Sequence, residues 1–232
     1  MNTYTTTPSE LNAPHSSGIV LPRKTSLYAG LFYLLTFISV PTLFLYESIH
    51  TQDYLMSNSS DRPVVIGGIL EIIVALSGIA TAVIFYPLLK KQNQSLAIGL
   101  VAARIVEAGT MFVGFSFLLG AVFLHEHNAT VSNVPLAQTL VAMYDRIFVL
   151  GQGFMPAIDD ILIGTLLYQS RLIPRKFALL GIVGAFALLA GYFGIMFGYF
   201  DRMDPLSGAS ALMVATFEFS LGIYLLIKGL RK

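Results

Sequence analysis

Six times between Leu27 and Ile227 the chain runs apolar over a bilayer-crossing length, ~20 residues for a helix. The runs are Leu27–Tyr46, Val64–Leu89, Leu96–Leu124, Phe148–Tyr168, Phe177–Phe200 and Ala209–Ile227. Inside hydrocarbon the backbone must hydrogen-bond to itself, which a helix does within one segment. The pattern predicts an all-α polytopic membrane protein, a bundle of six transmembrane helices joined by short loops. Composition agrees: 55% of the residues are hydrophobic and 12% charged, with a mean hydropathy of +0.73. A soluble domain carries roughly 25% charged residues.

Residues 23–232 therefore read as one transmembrane domain. Residues 1–22 are polar, rich in Thr and Ser, and broken by Pro8, Pro14 and Pro22. They lack the basic start and apolar run of a signal peptide and read as a disordered tail, with His15 a bystander in it. Pro41, Pro87 and Pro156 fall in or near spans and predict kinks. The fourth helix is expected to begin near Gln138 and to project from the membrane.

Basic residues set the orientation. Arg23, Lys24, Lys90, Lys91, Arg171, Arg175, Lys176, Lys228, Arg231 and Lys232 flank one side. The opposite loops hold only Arg62 and Arg202 as basic residues, against Glu47, Asp53, Asp61, Glu126, Asp201 and Asp204. The positive-inside rule then puts both termini in the cytoplasm, as an even number of crossings requires. Tyrosine supplies the interfacial belt, since there is no tryptophan.

The fourth span carries two adjacent acids, Asp159 and Asp160, in the middle of an apolar run. A carboxylate alone in hydrocarbon costs about 2.5–3.5 kcal/mol on insertion scales, so these two must face polar partners. Counting ~1.5 Å per residue from the basic side finds those partners. Glu107 lies about 16 Å deep, Asp159, Asp160 and Glu218 about 15 Å, and Arg104 about 12 Å. Glu71 lies further out, about 27 Å from the basic edge. Arg104 and Glu107 are three residues apart and share a helix face. On the fourth span Asp145, Gln152 and Asp159 form one sevenfold stripe, and Arg146, Gly153 and Asp160 the next.

Glu71, Arg104, Glu107, Asp159, Asp160 and Glu218 are the candidate residues for binding a ligand or a proton. Near the midplane, four carboxylates face one guanidinium, a formal charge of minus three if all are ionised. A bound proton or cation would relieve that excess, whereas a helix staple alone would not need it. The spans contain no histidine and the chain no cysteine, which removes Ser-His and Cys-His nucleophile pairs and histidine-held haem. No cofactor and no metal centre is expected. His125-Glu126-His127, with His50, is a chance-level spacing for a metal. There is no basic patch with interleaved aromatics, so no nucleic-acid partner is expected. The partners expected are the lipid bilayer and a small-molecule or cation ligand; the oligomeric state is left open. Gly184, Gly191 and Gly198 recur every seven residues in the fifth span, beside Gly194, and predict close helix packing within the bundle.

Several stretches resemble a bacterial membrane family, designated domain of unknown function 4386. They are Leu70-Glu71 through Gly78, Tyr86-Pro87, Leu96 through Glu107, Leu167 through Arg175, and Phe217-Glu218 through Gly229. The resemblance covers roughly Arg23 to Lys232. It implies a six-helix, multi-pass protein of the bacterial cytoplasmic (inner) membrane and carries no activity. Glu71, Arg104, Glu107 and Glu218 lie on matching motif positions. Arg146 and Asp160 depart from the family pattern, which has uncharged residues there, and so point to something particular to this chain.

Three functions follow as expectations. The acid cluster binds a proton or a small cationic or polar ligand, as in a carrier or sensor. Alternatively, it belongs to an intramembrane enzyme acting on a lipid or isoprenoid, with a carboxylic acid as general acid. In the third, Arg104 and its acids staple helices in a structural or accessory protein. The first is preferred because excess acid over base makes a poor staple.

Overall fold

The computed structural model describes residues 23–201 and 204–230. The expectations for the tail and His15, and for Arg202, Arg231 and Lys232, fall outside the described residues. Among the described residues there is no strand. Eight α-helices are present: α1 (Arg23–Leu35), α2 (Thr42–Leu45), α3 (Arg62–Leu89), α4 (Gln94–His127), α5 (Val134–Phe148), α6 (Met155–Ser170), α7 (Arg175–Met196) and α8 (Pro205–Ile227). They compose six stretches long and apolar enough to cross a membrane. The first is α1 and α2 with the 3₁₀ turn Thr36–Ser39 between them; the fourth is α5 and α6 joined through a π-helical segment, Val149–Phe154.

The helix ends carry expected signals. Asn93 accepts the backbone N–H of Leu96 at 3.1 Å to start α4, and Asp204 accepts that of Leu206 at 2.9 Å to start α8. Pro63 and Pro205 sit in first turns, where a missing N–H is harmless. α6 ends on Arg171 in the left-handed region, at φ 59°, a cap position that glycine more often fills.

The spans form a closed ring in chain order: each packs on the next, and the sixth returns to the first. Arg23 ties the ring shut. Its guanidinium donates to the last carbonyls of α8, those of Leu225, Leu226 and Ile227, while Leu230 N–H donates to Ser26 Oγ at 3.1 Å. Both described ends therefore lie on one face, the one flanked by the basic residues.

The two halves of the ring are filled differently. Toward the basic face one apolar cluster draws on all six spans, with Tyr33, Phe85, Leu100, Leu166, Ala178 and Phe217 among its buried members. Toward the acidic face the apolar packing divides. One group gathers the first loop with α3, α4 and α5 around Tyr46, Tyr54, Phe115 and Tyr144; another gathers α6, α7 and α8 around Leu188, Tyr192 and Val214.

Prolines account for two of the three predicted kinks. Pro41 has no N–H, and its ring crowds the carbonyl of Phe37, four residues back. The first span accordingly breaks at Thr36–Ser39, where Thr36, Ser39 and Thr42 also turn their hydroxyls back onto carbonyls three residues earlier. Pro156 acts likewise on Gln152, and the ladder widens into the π segment just before it. Pro87 lies inside α3, which continues as a helix to Leu89.

α4 and the fourth span are longer than a bilayer needs, at 34 and 40 residues. Both extend toward the acidic face, the fourth starting earlier than Gln138, at Val131. Their ends meet the first loop in a cap. There His125 Nδ1 pairs with Asp61 at 2.8 Å and its Nε2 lies 2.9 Å from the Ser57 carbonyl, while Tyr54 donates to Asp61 at 2.5 Å. His127 is exposed and stacks on Phe123. The two histidines thus take different partners. Among the described residues no group of three or more His, Cys, Asp or Glu side chains is arranged to hold a metal.

Of the fifth-span glycines, Gly184 and Gly191 pack on α8, so close that a Cβ on Gly191 would lie 2.2 Å from Ser210 Oγ. Gly194 meets Phe200, and Gly198 ends the helix at φ +76° with open space around it.

Candidate functional site

Arg104 is the centre of the site. It projects from α4 into the ring, 4% exposed, with its stem against Gly78 of α3, where a Cβ would sit 3.5 Å from Arg104 Cδ. Each nitrogen of the guanidinium faces a carboxylate from a different place. Nη1 donates to Glu107 Oε2 at 2.8 Å on the same helix face, and Nη2 donates to Glu218 Oε1 at 3.0 Å on α8. Nε lies 3.4 Å from Asp159 Oδ2 on α6, close enough for charge pairing but not oriented as a hydrogen bond. One planar fork therefore bridges three helices, a task suited to arginine.

Asp159 and Asp160 are both fully buried; Asp159 lies against Glu107 as well as Arg104, and Asp160 has no hydrogen-bond partner. Asp160 feels the charge of Glu218 most strongly, then those of Arg104, Asp159 and Glu107, so it belongs to the same group. Arg104 donates to Glu107 and Glu218 and faces Asp159, and none of its N–H groups reaches Asp160. The buried Tyr33 phenol lies in the field of Arg104, Glu218, Asp160 and Asp159. A buried carboxylate without a donor is costly, which makes Asp160 the point where the group is incomplete.

A cavity of about 200 Å³ opens on this group. Arg104, Glu107 and Glu218 line its floor, Thr36, Ser39 and Val40 its first-span wall, and Gln152 and Pro156 its fourth-span wall. A second cavity of about 200 Å³ lies further toward the acidic face, between Thr42, Leu43, Tyr46, Glu47 and His50 on one side and Tyr144 and Phe148 on the other. On the fourth span Tyr144 and Phe148 line the outer cavity, and Gln152 and Pro156 line the inner one. The two cavities lie one beyond the other along the first and fourth spans, and together they are called the cleft. At its outer end His50 Nε2 meets Asp145 Oδ1 at 3.1 Å.

The sequence-predicted residues divide five to one. Arg104, Glu107, Asp159, Asp160 and Glu218 converge. Glu71, also fully buried, stands two helical turns from Gly78 and accepts a hydrogen bond from Tyr144 at 2.6 Å beside the outer cavity. Along the stripe Asp145, Gln152, Asp159, the first meets His50, the second lines the inner cavity and the third faces Arg104. On the neighbouring stripe Arg146 is exposed, Gly153 packs against Tyr192, and only Asp160 turns inward. The wider π turn between them carries the helix out of a strict sevenfold register. Glycines permit that turn, since a Cβ on Gly151 would lie 1.8 Å from Thr110 Oγ1 and one on Gly153 1.9 Å from Tyr192.

The family model for a domain of unknown function, DUF4386, matches residues 28–229. The chain belongs to the DUF4386 family. No curated protein and no solved structure matches it. Within this DUF4386 member the match takes in all six spans and every residue of the site, so the family assignment and the six apolar helices together describe a multi-pass membrane protein. Sequence reasoning missed Thr36, Ser39 and Tyr33 as surroundings of the site. The hydroxyl run before Pro41 was the available signal for the first two.

Proposed function

We propose that this DUF4386 protein binds a proton or a small cationic or polar ligand at the Arg104 group, as a carrier or sensor. The observation that carries this reading is Asp160, whose carboxylate is fully buried next to Asp159 in the chain and has no donor. Four carboxylates share one guanidinium there, so what completes the group is positive or donates hydrogen bonds. The cavity over Glu107 and Glu218 provides room for it. We further propose that the membrane is a bacterial cytoplasmic one with the basic face inward, on the strength of the Lys and Arg asymmetry. The cleft then faces away from the cytoplasm.

A proton and a cation that complete the same acids displace one another. Methylammonium added to purified wild-type protein in a weakly buffered detergent solution should release protons in a saturable way. The double variant Asp159→Asn, Asp160→Asn should release none. Identical responses from the two proteins would sink the reading.

A staple role is favoured by one observation, the bridging of α4, α6 and α8 by Arg104. It accounts for Glu107, Asp159 and Glu218 and leaves Asp160 without a purpose.

A further inference from the structure

The way into the cleft narrows the chemistry of what binds. α1 and α8 touch at Gly30 and Gly222, where a Cβ on Gly30 would lie 2.8 Å from the Gly222 carbonyl oxygen. Beyond that crossing they part. The Thr36–Ser39 turn and α2 pack on α3 instead of following α8, and Phe37 meets Phe219 edge-on at 5.3 Å where the two diverge. Glu218 stands next to that fork, its side chain 13% exposed in the cavity.

This fork lies at the periphery of the bundle, between its first and last spans. The first and sixth spans are the least buried of the six, as expected of helices flanking a gap. The surfaces beside it are apolar and exposed: Val40 and Leu43 on the first span, Leu212 and Phe219 on the sixth. A mouth meant for water would be polar; one walled by aliphatic and aromatic side chains borders acyl chains. The outer cavity lies beyond it, with the rings of Tyr46 and Phe148 in its lining. Charged groups thus gather at the deep end and apolar ones flank the mouth, while the outer cavity sets Leu43 and Phe148 beside Thr42, Glu47 and His50.

Charge decides which amphiphile fits. Arg104 already faces three carboxylates and Asp160 adds a fourth, so an anionic head such as a phosphate or fatty carboxylate meets repulsion. We infer that the cleft takes a hydrophobic amine, an amphiphile with a cationic head and an apolar body, sideways from the leaflet nearer the acidic face, between the first and sixth spans. The head sits against Glu218 and Glu107, which line the cavity over the acid group, and the body lies along Leu43 and Phe148 of the outer cavity. This rests on the proposed acid-group binding and specifies the ligand class for it.

The test uses the full chain in nanodiscs of zwitterionic lipid and a dodecylamine carrying a photoreactive diazirine in its tail, with the labelled residues mapped by mass spectrometry. Labelling should concentrate on the segments around Leu43 and Phe148. Dodecylamine should compete it away at concentrations at least tenfold below those at which methylammonium does, and dodecanol and dodecanoate should not compete. Glu218→Gln should weaken the labelling at least tenfold. Should that variant fail to fold, the competitor series on the wild-type protein stands alone. Labelling spread over all lipid-facing helices, or competition by dodecanol as strong as by dodecylamine, overturns the inference. Methylammonium competing as well as dodecylamine also overturns it, because the apolar body then contributes nothing. In either case proton release by methylammonium would still stand for the acid site, so the two failures are distinguishable.

Discussion

Arg104 on α4 and Glu218 on α8 meet at 3.0 Å although their helices are not neighbours in the ring. The pair crosses the bundle at the level where the apolar plug of the basic side ends and the cleft begins. Most of what the protein can do depends on that crossing, because it holds the floor of the cavity together.

Removing the guanidinium should therefore be severe. Arg104→Leu leaves Glu107, Asp159 and Glu218 buried without their counter-charge, a loss of about 3–5 kcal/mol by analogy with broken buried pairs. The expected outcome is failure to accumulate in the membrane, or a thermal midpoint in detergent far below that of the wild type. A variant made in normal amount with an unchanged midpoint would show that Arg104 holds nothing.

The helix crossing below the fork is equally specific. Gly30→Ala pushes a methyl to 2.8 Å from a backbone oxygen, which only a shift of α1 against α8 can relieve. Such overpacking costs about 1–3 kcal/mol. Gly109→Ala is the control, since nothing lies within 4 Å of its Cβ position, and it should match or slightly exceed the wild type. Thermal unfolding of the two variants side by side gives the answer.

The chain has no cysteine, so single introduced thiols report the cleft cleanly. Ser39→Cys and Gln152→Cys line the cavity and should react with a small permeant maleimide, read as an intact mass shift. Phe85→Cys and Leu100→Cys lie in the apolar plug and should react at least tenfold more slowly. Equal rates at all four positions would mean that the cleft is closed.

Sidedness can be read in the same way. With an impermeant maleimide on intact cells, Asp53→Cys in the first loop should label, whereas Lys91→Cys should label only after the cells are opened. The reverse pattern would invert the topology.

The cap contributes a pH dependence at the alkaline end. Burial, and then the hydrogen bond to Asp61, push the Tyr54 phenol far above the ordinary tyrosine range. The folded protein thus keeps a proton that the unfolded chain loses near pH ~10. That stability is fully present below pH ~10 and declines as pH rises beyond it. Tyr54→Phe should remove this decline and, through loss of the bond to a charged acceptor, cost about 1.5–3 kcal/mol near neutrality. Unfolding midpoints measured from pH 7 to 11 on both proteins would reveal a wild-type curve no steeper than the variant's if the account fails.

Hydrophobic run length and the placement of Lys and Arg determined on their own how many times this chain crosses a membrane, because exclusion of charge from hydrocarbon is a local property of each segment. Depth counting likewise put Arg104, Glu107, Asp159, Asp160 and Glu218 at one level, since helical rise per residue does not depend on neighbours. Rotation about each helix axis was another matter. Arg146 and Asp160 look equivalent on a sevenfold stripe, yet the π turn at Val149–Phe154 leaves one exposed and the other buried; Glu71, a motif residue like Glu218, faces Tyr144 instead of Arg104. Only the packed ring decided which side chains converge, and where α1 parts from α8, because the first depends on contacts such as Arg104–Glu218, 114 positions apart, and the second on contacts between the two ends of the chain, 202 and 204 positions apart.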